Sequence, residues 1–397
     1  MEIDIDALLK ESIGSNSSDL HIKVGSHPTI RVGGKLFALD HYEKVTKPAI
    51  LNLVDGMMTP EQKEKAKGKL ECDFAYSRPG LGRFRVNIFQ QRGTPGMAFR
   101  IVPATILSIE GLMLPPAIEK LAKETRGLIL ITGTTGSGKS TTLASMIEYI
   151  NQNRACNIVT IEDPIEYLFR DKKCLISQRE VGPDTESFGT ALRSALRQDP
   201  DVILVGEMRD FETIQTALIA AETGHLVFST LHTLDAVETI NRIVSVFPPY
   251  NQKQVRMQLA SVLCGIISMR LVPKAVGKGR VPAVEVMMAT PSIKEAVIDP
   301  EKTRRIHELI ASGRSQYMMQ TFDQSLHDLC QKELISFEEA MKWCSNPADF
   351  ELKNKGIQIT SESWEEVQQQ VKETGSRDPK KSPPPPKPPP PVDRFGT

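Results

Sequence analysis

ITGTTGSGKSTT, which spans Ile131 to Thr142, contains the pattern G-x-x-x-x-G-K-[ST] between Gly133 and Ser140. An apolar segment precedes the pattern and a helical segment follows it, which is the setting that a phosphate-binding loop requires. The glycines let successive backbone N–H groups turn inward around a β-phosphate, and the positive end of the following helix adds to the attraction. Lys139 can reach the β- and γ-phosphates, and Ser140 offers a ligand for Mg²⁺. The pattern therefore predicts a nucleotide site.

The segments around this loop predict an α/β fold. From Gly127 onward, short apolar runs alternate with amphipathic helices, and the runs read LILIT, NIVTIED, DVILVGE and HLVFSTLHT. Continuous β-rich runs of this kind suit strands that are buried on both faces of a parallel sheet. Between about residues 250 and 350 the sequence reads as mostly helical, with one short extended stretch, RVPAVEVMM. We expect the core and its helical region to occupy residues 127–350.

The other parts of the chain have different patterns. Residues 1–105 contain short alternating segments with Gly and Pro at turn-like positions, and they predict a small α+β domain with an antiparallel sheet. A proline-bounded connector with a short helix follows at residues 106–126. Residues 351–397 form an extension that ends in a tail with eight prolines between Pro383 and Pro391. Such a tail favours polyproline II, either as a disordered end or as a docking peptide.

Composition narrows the functional classes. The 397 residues carry 49 basic and 49 acidic side chains, so the net charge gives no reason to expect a nucleic-acid or lipid partner. The six cysteines include no C-x-x-C pair, which argues against a zinc ribbon and fits a reduced cytosol. The start of the chain lacks the features of a secretory signal, and no stretch approaches the roughly 18 apolar residues of a spanning helix. We therefore expect a cytosolic protein that reaches a membrane only through a partner.

Two acidic groups follow predicted strands, and hydrolysis of a nucleotide needs a carboxylate beside the γ-phosphate. DVILVGE ends in Glu207 at the carboxyl edge of the sheet, where open α/β sheets bind ligands. We interpret Glu207 as a general base or a magnesium-side carboxylate. TIEDPIEY places Glu162, Asp163 and Glu166 at the end of another strand, where mutual repulsion favours a nearby cation or guanidinium. The predicted magnesium ligands are Ser140, Glu162 and Glu207.

Two histidines, His225 and His232, bracket the strand in TGHLVFSTLHT. His232 lies at the predicted carboxyl end of this strand and could sense the γ-phosphate, whereas a purely structural role stays open for both histidines. Zinc is not expected, because no second ligand cluster lies nearby in the sequence. The N-K-x-D pattern of a GTPase is missing, since the only NK dipeptide, at Asn354, lies outside the α/β core. A small-molecule kinase stays open, but it would not need the N-terminal domain.

Five segments in order resemble the type IV pilus twitching-motility (retraction) ATPases, the PilT/PilU group of the secretion ATPase superfamily. They lie within residues 3–350 and read GTTGSGKSTTLASMI, TIEDPIEY, CLISQREVGPDTESF, ALRSALRQDPDVILVGEMRD and TALIAAETGHLVFSTLHT. The resemblance implies a RecA-like P-loop ATPase core that follows a small PAS-like α+β domain. It also implies that the protein binds ATP and Mg²⁺ and that hydrolysis withdraws pilin subunits from the pilus fibre.

The resemblance assigns roles to individual residues. The residues implied to bind phosphate are Gly133, Thr134, Thr135, Gly136, Ser137, Gly138, Lys139, Ser140 and Thr141. The implied catalytic residues are Glu162, Asp163 and Glu166 of an aspartate box, Glu207 of the Walker B strand, and His225 and His232 of a histidine box. Arginines of the N-terminal domain reach the nucleotide in such proteins, and the candidates are Arg83, Arg85 and Arg100.

The resemblance further implies an assembly and partners. It implies a homohexameric cytoplasmic ring at the inner-membrane base of the pilus, where the ring acts on a platform protein. A paralogous pilus ATPase is a further candidate partner. Arg193 and Arg197 share one face of a predicted helix and are a hypothetical subunit interface.

One stretch departs from the pattern of principal retraction motors, which commonly carry an A-I-R-N-L-I-R-E box. The matching stretch reads PSIKEAVID, with Lys294 and Glu295 where Arg and Asn are usual. An accessory ATPase of the PilU kind is therefore an alternative. A pilus-assembly or type II secretion ATPase is another, although such proteins usually have further N-terminal domains and often a four-cysteine metal element. A nucleotide-binding regulator without turnover is opposed by Glu207 and the intact aspartate box.

Overall fold

The computed structural model describes residues 3–103 and 105–354, which are organised around two separate β-sheets. The strands of the N-terminal sheet are β1 (Asp19–Lys23), β2 (Thr29–Val32), β3 (Lys35–Ala38), β4 (Glu71–Arg78), β5 (Gly82–Gln91) and β6 (Thr94–Ile101). The helices beside it are α1 (Ile5–Gly14), α2 (Lys47–Met57) and α3 (Pro60–Ala66). The strands pair antiparallel in the order β3-β2-β1-β6-β5-β4, as the alternating segments predict.

The second sheet is parallel except at one edge. Its strands are β7 (Gly127–Thr132), β8 (Asn157–Glu162), β9 (Leu175–Glu180), β10 (Val202–Val205), β11 (Leu226–Leu231), β12 (Leu263–Pro273) and β13 (Arg280–Met288). They are arranged in the order β13-β12-β7-β11-β10-β8-β9, and only β13 runs antiparallel to its neighbour. Every residue of β7, β10 and β11 is buried, because helices cover both faces of the sheet.

Helices of the second domain connect these strands and extend beyond them. They are α4 (Pro116–Ala122), α5 (Lys139–Asn153), α6 (Phe188–Ala195), α7 (Phe211–Glu222), α8 (Ala236–Ser245), α9 (Gln252–Val262), α10 (Pro291–Ile298), α11 (Ile306–Ser312), α12 (Arg314–Tyr317), α13 (Phe322–Gln331), α14 (Phe337–Trp343) and α15 (Pro347–Asn354). Short 3₁₀ helices lie at Pro249–Asn251 and Thr303–Arg305. The N-cap side chains of α7 and α8, Asp210 and Asp235, accept hydrogen bonds from backbone amides.

The carboxyl ends of the parallel strands place the site. Because β7, β8, β10 and β11 are neighbours in one sheet and run in the same direction, the segments that follow them meet at one edge. The phosphate-binding loop follows β7, and the acidic segment of residues 162–166 begins at the last residue of β8. Glu207 follows β10, and His232 follows β11. Residues that are about 100 positions apart in the chain thereby become neighbours.

Two strands differ from the sequence-based expectation. The prediction of a mostly helical region from about residue 250 is wrong for LCGIISMRLVP, which forms β12 between β7 and β13. A short apolar run does not distinguish a buried strand from a buried helix, and the pairing partner decides between them. Strand β9 was not predicted either, because only two of the six residues in its sequence LISQRE are apolar and it lies at the sheet edge.

No helix within the described ranges is long and apolar enough to cross a bilayer. The predicted proline-rich tail between Pro383 and Pro391 lies outside the described residues.

Candidate active site

The phosphate-binding loop joins β7 to α5 in a backbone conformation that favours glycine. Gly133 has a φ of +139°, and Gly138, directly before α5, has a φ of +100°. A Cβ atom on Gly133 would lie 2.5 Å from the backbone oxygen of Met269 and 2.5 Å from Ser137 Oγ. Glycine is therefore needed at Gly133 both for its conformation and for the close approach of β12.

Lys139 is enclosed by the loop that precedes it. The residue is 8% exposed, and its Nζ donates hydrogen bonds to the backbone oxygens of Gly133 (2.7 Å) and Thr134 (2.9 Å). Burial lowers the pKa of Lys139, while the nearby Glu207 carboxylate acts in the opposite direction. The ammonium group is thus held against the loop, in the cavity that Glu207 also lines.

Glu207 lies just beyond β10 at the carboxyl edge of the sheet. The neighbouring strand fixes the preceding residue, because Thr230 Oγ1 donates a hydrogen bond to the backbone oxygen of Gly206 (2.7 Å). The Oε2 atom of Glu207 lies 2.7 Å from Arg209 Nη2 and 3.7 Å from His232 Nε2. The carboxylate is therefore positioned by strand pairing and has cationic or titratable neighbours on two sides.

The three predicted carboxylates after β8 have different surroundings. Glu162 is 9% exposed, and its Oε1 accepts hydrogen bonds from Thr160 Oγ1 (2.8 Å) and Gln178 Nε2 (3.2 Å). Its Oε2 accepts a hydrogen bond from the backbone amide of Glu166 (3.3 Å). Burial raises the pKa of Glu162 in spite of these hydrogen bonds, which lower it. Asp163 and Glu166 line the same cavity as Glu162.

The structure separates the two histidines. His232 lines the cavity, and burial lowers its pKa, with a further lowering from the Lys139 charge. His225 precedes β11, and its Nδ1 donates a hydrogen bond to the backbone oxygen of Ala220 (2.8 Å). At about 3.3 Å per strand residue, the two histidines lie roughly 23 Å apart. His225 is therefore not brought to the site of its own subunit, contrary to the prediction that both histidines serve it.

Two arginines of β5 contact carboxylates of the second domain. Arg83 Nη2 lies 2.7 Å from Glu180 Oε2, and the two side chains are only 18% and 7% exposed. Arg85 Nη1 lies 3.3 Å from Glu166 Oε1 in a more exposed pair. Because Glu166 lines the cavity, a guanidinium group does accompany the clustered carboxylates, as their mutual repulsion suggests.

Arg100 is placed differently from the other two candidate arginines. Its Nε lies 3.0 Å from Asp19 Oδ1, and its side chain is 65% exposed. Asp19 belongs to β1, the neighbouring strand of the same sheet. The pair therefore closes within the N-terminal domain, and the structure does not bring Arg100 to the cavity, contrary to the prediction.

The predicted residues enclose a cavity of about 360 Å³. The site residues that line it are Thr135, Gly136, Lys139, Ser140, Glu162, Asp163, Glu166, Glu207 and His232. The remaining loop residues, which are Gly133, Thr134, Ser137, Gly138 and Thr141, lie in the same loop and the first turn of α5. The size suits a small-molecule ligand, and the aromatic side chains of Tyr167, Phe169 and Phe188 supply apolar surface.

The donor set fits a nucleotide with Mg²⁺. Ser137 Oγ is buried without a hydrogen-bond partner among the described residues, so a phosphate oxygen could satisfy it. The hydroxyl group of Ser140 and the carboxylates of Glu162 and Glu207 are oxygen ligands of the type that Mg²⁺ prefers. In the part of the chain that the structure describes, no three His, Cys, Asp or Glu side chains could hold a metal by themselves. A bound Mg²⁺ would therefore depend on phosphate and water oxygens as well.

Sequence reasoning missed residues that the fold adds to the site. Glu180 ends β9 and pairs with Arg83, and Gln178 of the same strand supports Glu162. In the structure, residues 176, 178 and 180 share the more buried face of this strand, but the residue types in LISQRE do not alternate between apolar and polar, so the sequence offered no signal for it. Tyr167 shares a hydrogen bond of 2.8 Å with Thr141 Oγ1 and thus ties the acidic segment to α5.

Comparison with known proteins identifies the family. The profile described as "Type II/IV secretion system protein" matches residues 96–369. The type IV pilus retraction ATPase PilT of Pseudomonas aeruginosa is 45% identical over 348 residues, which are 88% of this chain and 100% of PilT. The chain belongs to the type II/IV secretion system protein family, within which PilT is a relative of this similarity. The type IV pilus ATPase PilU of the same organism is 39% identical over 91% of this chain and 93% of PilU.

A solved structure of the same family supports the assignment of the fold. The crystal structure of the pilus retraction motor PilT with bound ADP matches with a TM-score of 0.81 and 45% identity, covering 88% of this chain and 99% of that one. The predicted family, the α/β secretion ATPase fold with an N-terminal domain, and the prediction of an ATPase are thereby confirmed. As a member of this ATPase family, the chain takes a nucleotide as its ligand.

Proposed function

We propose that this secretion ATPase is a hexameric motor that hydrolyses ATP to withdraw pilin subunits from a type IV pilus and so powers twitching motility. One observation carries the proposal: Lys139, Glu207 and His232 meet in one cavity of a chain whose match covers the full length of PilT. A phosphate-binding loop alone would not select a task, because many unrelated proteins share it. The match to PilT also includes the N-terminal domain, and a motor needs such a second domain to convert hydrolysis into a domain movement.

Each residue of the cavity has a separate role in the proposed hydrolysis of ATP. When ATP enters, Lys139 exchanges its bonds to the loop carbonyls for bonds to the β- and γ-phosphate oxygens. Glu207 orients a water molecule and accepts its proton as the water attacks the γ-phosphorus, while the bond between the γ-phosphorus and the bridging oxygen breaks and ADP leaves. His232, whose Nε2 lies 3.7 Å from Glu207 Oε2, contacts the γ-phosphate and so senses its presence. Ser140, Glu162 and Glu207 would hold Mg²⁺, which would neutralise charge on the phosphates.

The arginines of β5 offer a route from phosphate chemistry to domain motion. Arg83 and Arg85 pair with carboxylates of the ATPase domain at 2.7 Å and 3.3 Å. The γ-phosphate of ATP would compete with Glu180 and Glu166 for these guanidinium groups. ATP binding and hydrolysis would then shift the equilibrium between two arrangements of the domains.

The assembly and the partners of this motor follow from the same proposal. The chain would form a homohexameric ring in the cytoplasm, at the inner-membrane base of the pilus, and act on a platform protein. The absence of a membrane-spanning helix within the described ranges is consistent with membrane contact only through such a partner. Arg193 pairs with Glu212 inside one subunit, and α6 ends at Ala195, before Arg197. The hypothetical interface would therefore depend more on Arg197, which lies just beyond the helix rather than on its face.

An accessory retraction ATPase is the second candidate. The observation that favours it is helix α10, where Lys294 and Glu295 replace the residues usual in principal motors. Lys302 pairs with Glu295, so this helix end is tied to the following segment. The higher identity to PilT (45%) than to PilU (39%) favours the principal motor. An assembly ATPase is the third candidate.

A Glu207→Gln variant tests the proposal in cells and in solution. It should bind nucleotide but release phosphate at least about 100-fold more slowly, because the general base is lost. Glu301→Gln, which changes an exposed carboxylate outside the cavity, serves as the control. In cells whose only copy is Glu207→Gln, abundant surface pili with lost twitching would support retraction. Near-normal twitching would select the accessory role, and cells without pili would select assembly.

A further inference from the structure

A buried carboxylate outside the cavity links two parts of the site. Glu285 lies on β13 and is 1% exposed. Its Oε1 accepts a hydrogen bond from the backbone amide of Ala236 (2.9 Å), and Ser268 Oγ of β12 donates a second one to the same oxygen (3.4 Å). Ser268 Oγ in turn accepts a hydrogen bond from Thr132 Oγ1 (3.0 Å). The chain of contacts thus runs from Thr132 through Ser268 and Glu285 to Ala236.

Both ends of this chain of contacts adjoin the site. Thr132 is the last residue of β7, directly before Gly133 of the phosphate-binding loop. Ala236 is the first residue of α8, four residues after His232. The turn between His232 and Ala236 is held by Thr233, whose Oγ1 lies 2.6 Å from Thr239 Oγ1. A displacement of Ala236 would therefore be passed to His232.

The surroundings of Glu285 argue against a role in stability alone. His307 of α11 lies between two carboxylates, with its Nδ1 3.6 Å from Glu285 Oε2 and its Nε2 3.8 Å from Asp235 Oδ2. Arg270 of β12 adds a charge nearby, but its Nη1 donates to the backbone oxygen of Trp343. Taking an ionisable carboxyl out of water costs free energy, so stability alone does not account for a glutamate at this buried position.

We propose that Glu285 is a positioning residue that fixes the turn carrying His232 relative to the phosphate-binding loop. It does so by holding the amide of Ala236 while it is anchored to β7 through Ser268. The proposal rests on the proposed function in one respect, namely that His232 acts at the γ-phosphate. A shift of about 1 Å in a catalytic group can lower a rate by up to about 100-fold, so a distant hydrogen bond can control turnover.

Three variants of the full-length chain test this role. Glu285→Met keeps the volume of the side chain but removes the acceptor, and Glu285→Gln keeps an oxygen acceptor without the charge. Ala236→Pro removes the donor at the first helical position, where proline is tolerated. Glu308→Gln on α11 is the control, because its side chain is 72% exposed and lies outside the network. Phosphate release at varied ATP concentration and hydrogen exchange of a peptide covering residues 233–240 are measured for each protein.

The expected result is a split between kcat and KM. Glu285→Met and Ala236→Pro should lower kcat at least about tenfold while the KM for ATP stays within about twofold, and exchange of the peptide should rise roughly tenfold. Glu285→Gln and Glu308→Gln should stay within about twofold of the wild type. Folded Glu285→Met with wild-type kcat and wild-type exchange would overturn the proposal, as would equal losses in the Met and Gln variants. Faster exchange in Glu285→Met, together with a wild type that releases no phosphate, would support the positioning contact and refute the proposed function.

Discussion

Replacing Glu285 by Gln should stabilise the folded chain by an amount that grows with pH. Burial raises the pKa of the Glu285 carboxyl from 4.5 to about 7. Below pH 4.5 the carboxyl is protonated in both the folded and the unfolded chain, so Glu and Gln are comparable. Between pH 4.5 and about 7 the unfolded chain loses the proton before the folded chain does, so the stability of the wild type falls as the pH rises.

The size of this effect follows from the two pKa values. The difference between 4.5 and about 7 corresponds to about 3 kcal/mol of unfolding free energy, at roughly 1.4 kcal/mol for each pH unit. Gln cannot ionise and therefore avoids this cost at every pH. For a domain of this size, about 3 kcal/mol corresponds to a difference in apparent Tm of roughly 6–12 °C. The Gln variant should thus unfold at a higher temperature above neutral pH.

Thermal unfolding at about pH 5, 6, 7 and 8.5 measures this difference directly. The Tm of Glu285→Gln minus that of the wild type should be small at the lowest pH and largest at the highest. Glu308→Gln provides the matched control, since its 72% exposed side chain should give no growing difference. A Tm difference that does not change with pH would refute the reasoning, because it would show that Glu285 has the same proton affinity in the folded and unfolded chain.

Three further predictions concern the loop and the domain contact. Lys139→Ala should weaken ATP binding at least about tenfold, measured with a fluorescent nucleotide, because its charged hydrogen bonds to phosphate are lost; wild-type affinity would contradict the role of Lys139. Gly133→Ala should also lose nucleotide binding, since its Cβ would lie 2.5 Å from Met269 O, and crystallisation with ADP in an unchanged loop would disprove this. A double-mutant cycle of Arg83→Gln and Glu180→Gln should give a coupling energy of roughly 1–3 kcal/mol in chemical unfolding, and additive effects would exclude a coupled pair.

Local patterns were sufficient to predict much of the site. The loop residues from Gly133 to Ser140 follow one another in the sequence, so their chemistry could be read without a fold. Glu162, Glu207 and His232 each follow a continuous apolar run, and parallel strands bring such ends to one edge of a sheet. The structure does place them around a single cavity.

Long-range pairing decided what the patterns could not. His225 and His232 bracket one strand, and the sequence already favours His232 because it lies at the predicted carboxyl end. In the structure that end lines the cavity and the other end does not. Arg85 and Arg100 lie opposite each other on β5 and β6, yet one reaches Glu166 and the other pairs with Asp19. Periodicity fixes the face of a strand on which a side chain lies, and it does not fix the partner that the side chain meets there.

The sequence by itself determined the phosphate-binding loop, the class of fold and the family, because each depends on neighbours within a segment or on the order of segments. Only the tertiary structure decided the strand identity of β12, the contacts of Arg83 with Glu180, and the link from Thr132 to Ala236 through Glu285. These features join residues that lie tens to more than a hundred positions apart. Such contacts depend on strand order and register, which arise only when the whole sheet has assembled.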